Sequence, residues 1–164
     1  KSVGSINIQD FVELSNFDQT SGFYNKLNIE KIGTSGQFIT SPEISSLFSI
    51  AITNQFLKEF PKVKNVNLFE LGPGNGLLSM DIYHYLKSKN INVNDLTLLE
   101  KSEYFREKIS EKSEVKVNFI KNKSLLVCNC NDFLYANNVL ELKEHCEKNL
   151  LSGYYLNNIL QQLL

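Results

Sequence analysis

The 164-residue sequence predicts an α/β fold in which a parallel sheet is flanked by helices. Three observations support this prediction. Apolar runs with strand character alternate with segments of helical spacing, a glycine-rich turn joins one such pair, and acidic or amide side chains follow several of the runs. Because ligands of such sheets bind beyond the carboxyl ends of the strands, the polar residues at those ends are expected to share one crevice.

The chain is expected to form a single domain, 1–164, with three parts. Residues 1–60 form a helical and loop segment, and residues 61–136 form the sheet-containing core. Residues 137–164 form a leucine-rich helical tail of unassigned role. There is room for four or five strands.

Composition argues against several classes of function. Apolar residues make up 42% of the chain, charged residues 21%, and the formal net charge is −1, so no general attraction to nucleic acid or anionic membrane is expected. No apolar run is long enough to cross a bilayer. Cys128, Cys130 and Cys146 are expected to be reduced thiols, and their spacing is a poor zinc signature, so no metal site is expected.

The first elements are a short helix and an irregular segment. Apolar residues recur at helical spacing over 8–14, behind Asn7 as a candidate cap. A turn is expected at 17–22, and the glycine-punctuated stretch 23–38 has neither helical nor strand periodicity.

A second helix is predicted to begin near residue 41. Ser41 can cap it, Pro42 suits its first position, and Glu43 suits the positive end of the helix dipole. Pro61 ends the helical pattern. Its buried side is expected to carry the apolar residues that recur at helical spacing, namely Ile44, Leu47, Phe48, Ala51, Ile52 and Phe56.

The central feature is a strand, a glycine-rich turn and a helix in succession. The apolar run 66–69 precedes the turn that contains Gly72, Gly74 and Gly76, and a helical pattern covers 77–87. Glycine is needed where the backbone turns tightly and a ligand must approach it without an intervening Cβ. The buried stripe of the helix is expected to comprise Leu78, Ile82, Tyr85 and Leu86.

The carboxylate two positions before the first glycine helps to distinguish between cofactors. Glu70 would repel a pyrophosphate but attract the ammonium and sulfonium charges of S-adenosylmethionine. The glycines alternate, whereas dinucleotide-binding turns favour G-x-G-x-x-G, although Gly74-x-Gly76-x-x-Ser79 is a near match. We therefore expect S-adenosylmethionine as the cofactor, with an NAD-dependent oxidoreductase as a less favoured alternative.

The remaining core elements follow in alternation. After an Asn-rich linker at 90–94, a strand is predicted at 96–100, and Ser102 can cap a helix that runs to residue 112. Further strands are predicted at 115–119, from alternation, and at 124–128, from a continuous apolar run.

Two polar groups follow predicted strands. Glu100 ends the strand after the glycine turn, where it could accept hydrogen bonds from the ribose of an adenosine cofactor. The segment 129–132 could contact adenine or substrate, although its composition alone favours an ordinary turn. His84 and His145 lack a partner at a telling spacing and are expected at the surface.

Four sequence motifs resemble one known family, that of the mitochondrial complex I assembly arginine methyltransferase and its bacterial and protist relatives, the MidA group. The segment GQFITSPEIS at 36–45 resembles the family signature GDFITSPEIS, and ELGPGNG at 70–76 resembles ELGPGRG. LEKS at 99–102 resembles VEISP, and NDFLYA at 131–136 resembles NEFFDA. Gln37, Asn75 and Tyr135 replace charged residues of the family pattern.

This resemblance implies a Rossmann-like class I S-adenosylmethionine-dependent methyltransferase fold, with S-adenosylmethionine as cofactor. Because members of that family complete a seven-stranded sheet, the resemblance also implies that the sheet of this chain is incomplete at the C-terminus. Glu43 and Asp132 are the implied catalytic residues, which would orient an acceptor guanidinium. The implied cofactor-binding residues lie in the proline-glutamate motif, the glycine turn and the strand ends: Thr40, Ser41, Pro42, Glu70, Gly72, Pro73, Gly74, Gly76, Glu100 and Asn131.

The resemblance also implies a protein substrate, an arginine of a respiratory complex I subunit, and a location in the mitochondrial matrix or the bacterial cytoplasm. A homodimer is left open as an assembly state. A catalytically silent, cofactor-binding or assembly module is the alternative from another class, because some family acids are replaced and the tail is unfamiliar.

Overall fold

A computed structural model describes residues 4–120 and the backbone of residues 133–136. Helices and parallel strands alternate through this part of the chain, as the sequence predicts. The elements are α1 Ile8–Phe17, a 3₁₀ turn Phe23–Asn25, α2 Ser41–Ile44, α3 Leu47–Glu59, β1 Asn65–Leu71, α4 Leu77–Ser88, β2 Asn92–Leu99, α5 Glu103–Lys112, β3 Asn118–Ile120 and β4 Phe133–Ala136.

The four described strands form one parallel sheet in the order β3-β2-β1-β4. Leu71 at the carboxyl end of β1 is level with Leu99 of β2 on one side and with Ala136 of β4 on the other. The chain therefore moves outward from β1 in both directions, which makes the end of β1 a topological switch point. Open α/β sheets bind ligands at such points.

The core packs helix side chains against this sheet. β1 and β2 are buried over their carboxyl halves, and α4 and α5 contribute stripes at helical spacing. Tyr85, expected in the α4 stripe, is instead half-buried and donates its hydroxyl to Asn54. The buried cluster comprises Phe56, Val66, Leu68, Leu78, Ile82, Leu86, Ile91, Leu96, Leu98 and Ile109.

Two predicted helix caps are present. The Asn7 side chain accepts a hydrogen bond from the Asp10 amide at 2.8 Å, and the Ser102 hydroxyl accepts one from the Phe105 amide at 3.3 Å. The Ser102 hydroxyl also donates to the carbonyl of Tyr24 at 2.7 Å, and its residue is fully buried. Ser102 therefore joins the start of α5 to the N-terminal segment.

We expect Ser102→Ala to destabilise the protein by about 1–2 kcal/mol, because it removes an N-cap and leaves the Tyr24 carbonyl without this donor. Chemical unfolding measures this loss. Ser110→Ala is the control, since the Ser110 hydroxyl is exposed and bonds only within its own helix, to Arg106. Equal unfolding midpoints for the two variants would contradict the expectation.

The prediction of one continuous second helix is wrong, because the structure has two helices there, α2 and α3. Thr40, not Ser41, is the N-cap, and α2 ends after four residues because Ser45 is extended, with φ −163° and ψ 138°. The Ser45 hydroxyl accepts from the Leu47 amide at 3.1 Å and so begins α3. This interruption turns Ile44 and Leu47 outward, where they are 71% and 70% exposed.

The side of α3 that packs inward is partly polar. Ser49 and Thr53 are buried beside Phe56. The Ser49 hydroxyl contacts Asp81 of α4 at 3.2 Å, and the Thr53 hydroxyl donates to the Ser49 carbonyl at 2.7 Å. These hydrogen bonds satisfy the buried hydroxyls, which is why a periodicity of apolar residues alone misplaced the buried side.

The strand boundaries also differ from prediction. β2 begins at Asn92, inside the predicted linker, because its first residues pair with Asn65 and Val66 of β1. β3 is limited to Asn118–Ile120, and the predicted strand at 124–128 lies outside the described residues. The strand on the other side of β1 is β4, which pairs with it from Leu68 onward.

The predicted first helix is present and extends to Phe17. Within the described residues, it packs few of its side chains against the rest of the protein. α1 packs against the 3₁₀ turn and has no buried residue. Its exposed apolar residues are Ile8, Phe11, Val12 and Leu14.

Candidate functional site

The glycine turn leaves the carboxyl end of β1 in a conformation that favours glycine at three positions. Gly72, Gly74 and Gly76 have φ values of 65°, 57° and 78°, in the left-handed region. A Cβ on Gly74 would lie 2.6 Å from Cδ1 of Ile32, and one on Gly76 would lie 2.9 Å from Cγ1 of Ile109. The turn is therefore closed to larger residues by both its backbone angles and its neighbours.

Glu100 connects this turn to the next strand and helix. Its Oε2 accepts from the Gly74 amide at 3.2 Å, and its Oε1 accepts from the Ser102 amide at 2.7 Å. Arg106 donates to the Glu100 carbonyl at 2.9 Å. Glu100 is only 5% exposed, and the two backbone donors hold its carboxylate in place.

A cavity of about 420 Å³ lies against the turn and Glu100. This volume is within the range of small-molecule sites. Gly72, Gly74 and Glu100 form its polar floor, and Thr40 and Ser41 of the N-terminal segment belong to its wall. The rest of the wall is apolar and comprises Phe17, Tyr24, Ile32, Phe38, Ile39 and Phe105.

Three of these aromatic side chains lie against one another. The rings of Phe17 and Tyr24 are stacked at 5.5 Å between centroids, and Tyr24 is 6.1 Å from Phe105. Such faces suit a planar heterocycle. Sequence reasoning missed these residues as site residues, but a clue was available. Two of the lining aromatics, Tyr24 and Phe38, fall in a stretch without helical or strand periodicity. Large aromatic side chains in such a stretch need a partner surface.

Glu70 occupies a different environment from the one expected at a strand end. It is 1% exposed and does not line the cavity. Its Oε2 accepts from the Ser79 hydroxyl of α4, while its Oε1 is buried without a hydrogen-bond partner. Burial raises the pKa of Glu70 to about 8, the Ser79 hydrogen bond opposes the rise, and the charge of Glu100 adds to it.

The other sequence-predicted residues are distributed as follows. Pro42 is buried in α2, and Pro73 and Gly76 are buried in the glycine turn, but none of the three is among the residues that line the cavity. Glu43 accepts a hydrogen bond from the Asn75 side chain. Asn131 and Asp132 lie outside the described residues.

In the described part of the chain, neither a cluster of metal ligands nor a membrane-spanning helix is present. Within residues 4–120, no group of three His, Cys, Asp or Glu side chains is arranged to hold a metal ion. No helix in the same residues is long and apolar enough to span a membrane. His84 is exposed on α4, as expected, and His145 lies outside the described residues.

Curated relatives share half of this chain. The protein arginine methyltransferase NDUFAF7, mitochondrial, of Bos taurus is 38% identical over 85 residues, which are 50% of this chain and 19% of the relative. The human protein is 35% identical over the same length, and the Drosophila melanogaster homolog is 33% identical over 88 residues. The chain thus spans about a fifth of the length of the curated relatives it matches.

Solved structures share the fold. A Burkholderia thailandensis protein crystallised with S-adenosyl-homocysteine superposes with a TM-score of 0.59 at 18% identity, over 71% of this chain and 33% of that chain. A native structure from the same organism gives 0.54. These similarities confirm the predicted α/β fold of S-adenosylmethionine-dependent methyltransferases.

A family model decides the assignment. Residues 51–141 match the family described as "Putative S-adenosyl-L-methionine-dependent methyltransferase", and this match includes β1, the glycine turn, α4, β2 and Glu100. The matched region is more than half of the chain. The cofactor expected from the sequence is the one that the family description names. The chain therefore belongs to the family of S-adenosyl-L-methionine-dependent methyltransferases.

Proposed function

We propose that this chain binds S-adenosylmethionine in the 420 Å³ cavity and supports methyl transfer to an arginine of a protein. The observation that carries the proposal is the juxtaposition of Gly72, Gly74 and Glu100 along one side of that cavity, at the switch point of the sheet. The names of the curated relatives support the arginine acceptor.

The residues present fit this cofactor. Gly74 adopts a φ of 57° and carries no Cβ, so a ligand can approach its backbone more closely than it could approach any other residue type. Glu100 lies in the lining of the cavity, and a carboxylate is a hydrogen-bond acceptor to which ribose hydroxyls can donate. The aromatic wall of Phe17, Tyr24 and Phe105 provides a face for adenine.

When bound, S-adenosylmethionine supplies an electrophilic methyl carbon that passes to the acceptor nitrogen while sulfur keeps the bonding electrons. The protein's contribution is mainly positioning, which holds the reacting atoms about 3–3.5 Å apart. The acceptor guanidinium arrives charged, because the pKa of arginine exceeds about 12, so a neighbouring carboxylate would orient it and assist loss of its proton. Asp132 remains our candidate for that carboxylate.

A second candidate function is a cofactor-binding assembly module without methyl transfer. It is favoured by one observation. Among the described residues that line the cavity, Glu100 is the single acidic side chain, and its oxygens are bonded to backbone amides.

A complex I subunit as the partner, and the mitochondrial matrix or the bacterial cytoplasm as the location, remain proposals. The relatives are named mitochondrial.

Calorimetric titration with S-adenosyl-homocysteine and with NAD tests cofactor choice, and we expect heat of binding for the first only. Transfer of a radiolabelled methyl group to a complex I subunit homologue then tests the activity. Binding without transfer would favour the assembly module, preference for NAD would favour an oxidoreductase, and absence of binding to either would overturn the proposal.

A further inference from the structure

The N-terminal segment and the glycine turn are joined by a side-chain contact outside the cavity. Oε1 of Glu43, in α2, accepts a hydrogen bond from the side-chain amide nitrogen of Asn75, in the turn. The other end of the Asn75 amide accepts from the backbone nitrogen of Leu77, the first residue of α4, at 3.2 Å. One amide therefore connects α2, the glycine turn and α4.

The Glu43 side chain also lies close to Gly33 in the irregular segment. Gly33 has a φ of 119°, and a Cβ placed there would lie 3.5 Å from Oε2 of Glu43. The half-buried Glu43 carboxylate thus lies near the irregular segment and accepts a hydrogen bond from the glycine turn.

This contact links two segments that form part of the cavity wall. Thr40 and Ser41, three and two residues before Glu43, line the cavity, and so do Gly72 and Gly74, three residues and one residue before Asn75. Glu43 itself is not among the lining residues. A misplacement of about 1 Å caused far from the reacting atoms can lower the rate of an enzyme by about 100-fold.

We propose that Glu43 and Asn75 are a positioning pair that sets the separation of the cavity walls, and that Glu43 does not act on the acceptor. The proposal rests on the proposed function, because the cavity is taken to hold S-adenosylmethionine. It differs from the role that the sequence resemblance implies for Glu43, in which its carboxylate would orient a guanidinium.

Four variants of the full chain test this pair: Glu43→Ala, Asn75→Ala, the double variant, and Glu43→Gln, which keeps an acceptor oxygen for Asn75. We expect each alanine variant to raise the Kd for S-adenosyl-homocysteine by about tenfold, the double variant to raise it no further, and Glu43→Gln to bind like the wild type. Glu59→Ala is the matched control. It removes a similar carboxylate–amide bond, the 2.9 Å contact with Gln55 within α3, away from the cavity.

Amide hydrogen exchange without cofactor separates this proposal from the proposed function. We expect faster exchange over residues 72–77 in Glu43→Ala but not in Glu43→Gln or Glu59→Ala, whether or not the wild type binds the cofactor. Unchanged exchange in Glu43→Ala, or additive effects on Kd, would overturn the pair. Loss of methyl transfer in Glu43→Gln with intact S-adenosyl-homocysteine binding would show instead that Glu43 acts on the acceptor.

Discussion

Replacement of Gly74 by arginine is expected to abolish binding of S-adenosyl-homocysteine, with at least a 100-fold rise in Kd. A side chain at this position would start 2.6 Å from Ile32, at a φ of 57° that L-residues rarely adopt, and would extend into the cavity. It would also displace the amide that donates to Glu100. Calorimetric titration of the folded variant measures the loss.

The matched control is Gly4→Arg, because nothing lies within 4 Å of a Cβ at Gly4. It adds the same charge and volume at an open position, and we expect wild-type affinity. Circular dichroism of both variants checks that the fold is retained. Wild-type affinity in a folded Gly74→Arg variant would place the cofactor away from the glycine turn.

Substitution of Glu70 by glutamine is expected to change how stability depends on pH. Burial raises the pKa of Glu70 from 4.5 to about 8 in the folded protein. Below pH 4.5 the carboxyl is protonated in both the folded and unfolded states, so it does not oppose folding. Between pH 4.5 and 8 the unfolded chain releases a proton that the folded protein keeps, so the free energy of unfolding falls as pH rises.

The fall is at most about 1.4 kcal/mol per pH unit, and about 4 kcal/mol over the whole interval is an upper bound. Glu70→Gln removes this term, so the stability of the variant relative to the wild type should increase from pH 5 to pH 8. Urea unfolding across this range measures the difference. Glu111→Gln, an exposed substitution on α5, is the control, for which we expect a constant difference. A constant difference for Glu70→Gln would refute a neutral, buried Glu70.

The central unit of the fold could be predicted from sequence because local signals agree there. An apolar run, three glycines and a helical pattern each indicate the same boundaries, and the structure confirms β1, the turn and α4. The caps at Asn7 and Ser102 were predictable for the same reason, since capping depends on residues only three positions apart.

Features that depend on distant residues were not predictable. The break at Ser45 and Ser46 has no glycine or proline to signal it, and pairing with β1 extends β2 into a polar, Asn-rich segment. The environment of Glu70 depends on which face of β1 meets α4, a choice that strand alternation alone leaves open. The cavity wall likewise combines residues that are far apart in sequence, such as Phe17 and Phe105.

Several backbone donors in and beside the glycine turn are already engaged within the protein. The Gly72 amide donates to the Leu99 carbonyl at 3.0 Å, the Gly74 amide to Glu100, and the Leu77 amide to Asn75. A diphosphate is usually held by vacant amides at such a helix start, whereas here it would meet a carboxylate. A ligand that brings its own donors, as a sugar hydroxyl or an amino group does, therefore suits this turn better than a diphosphate does.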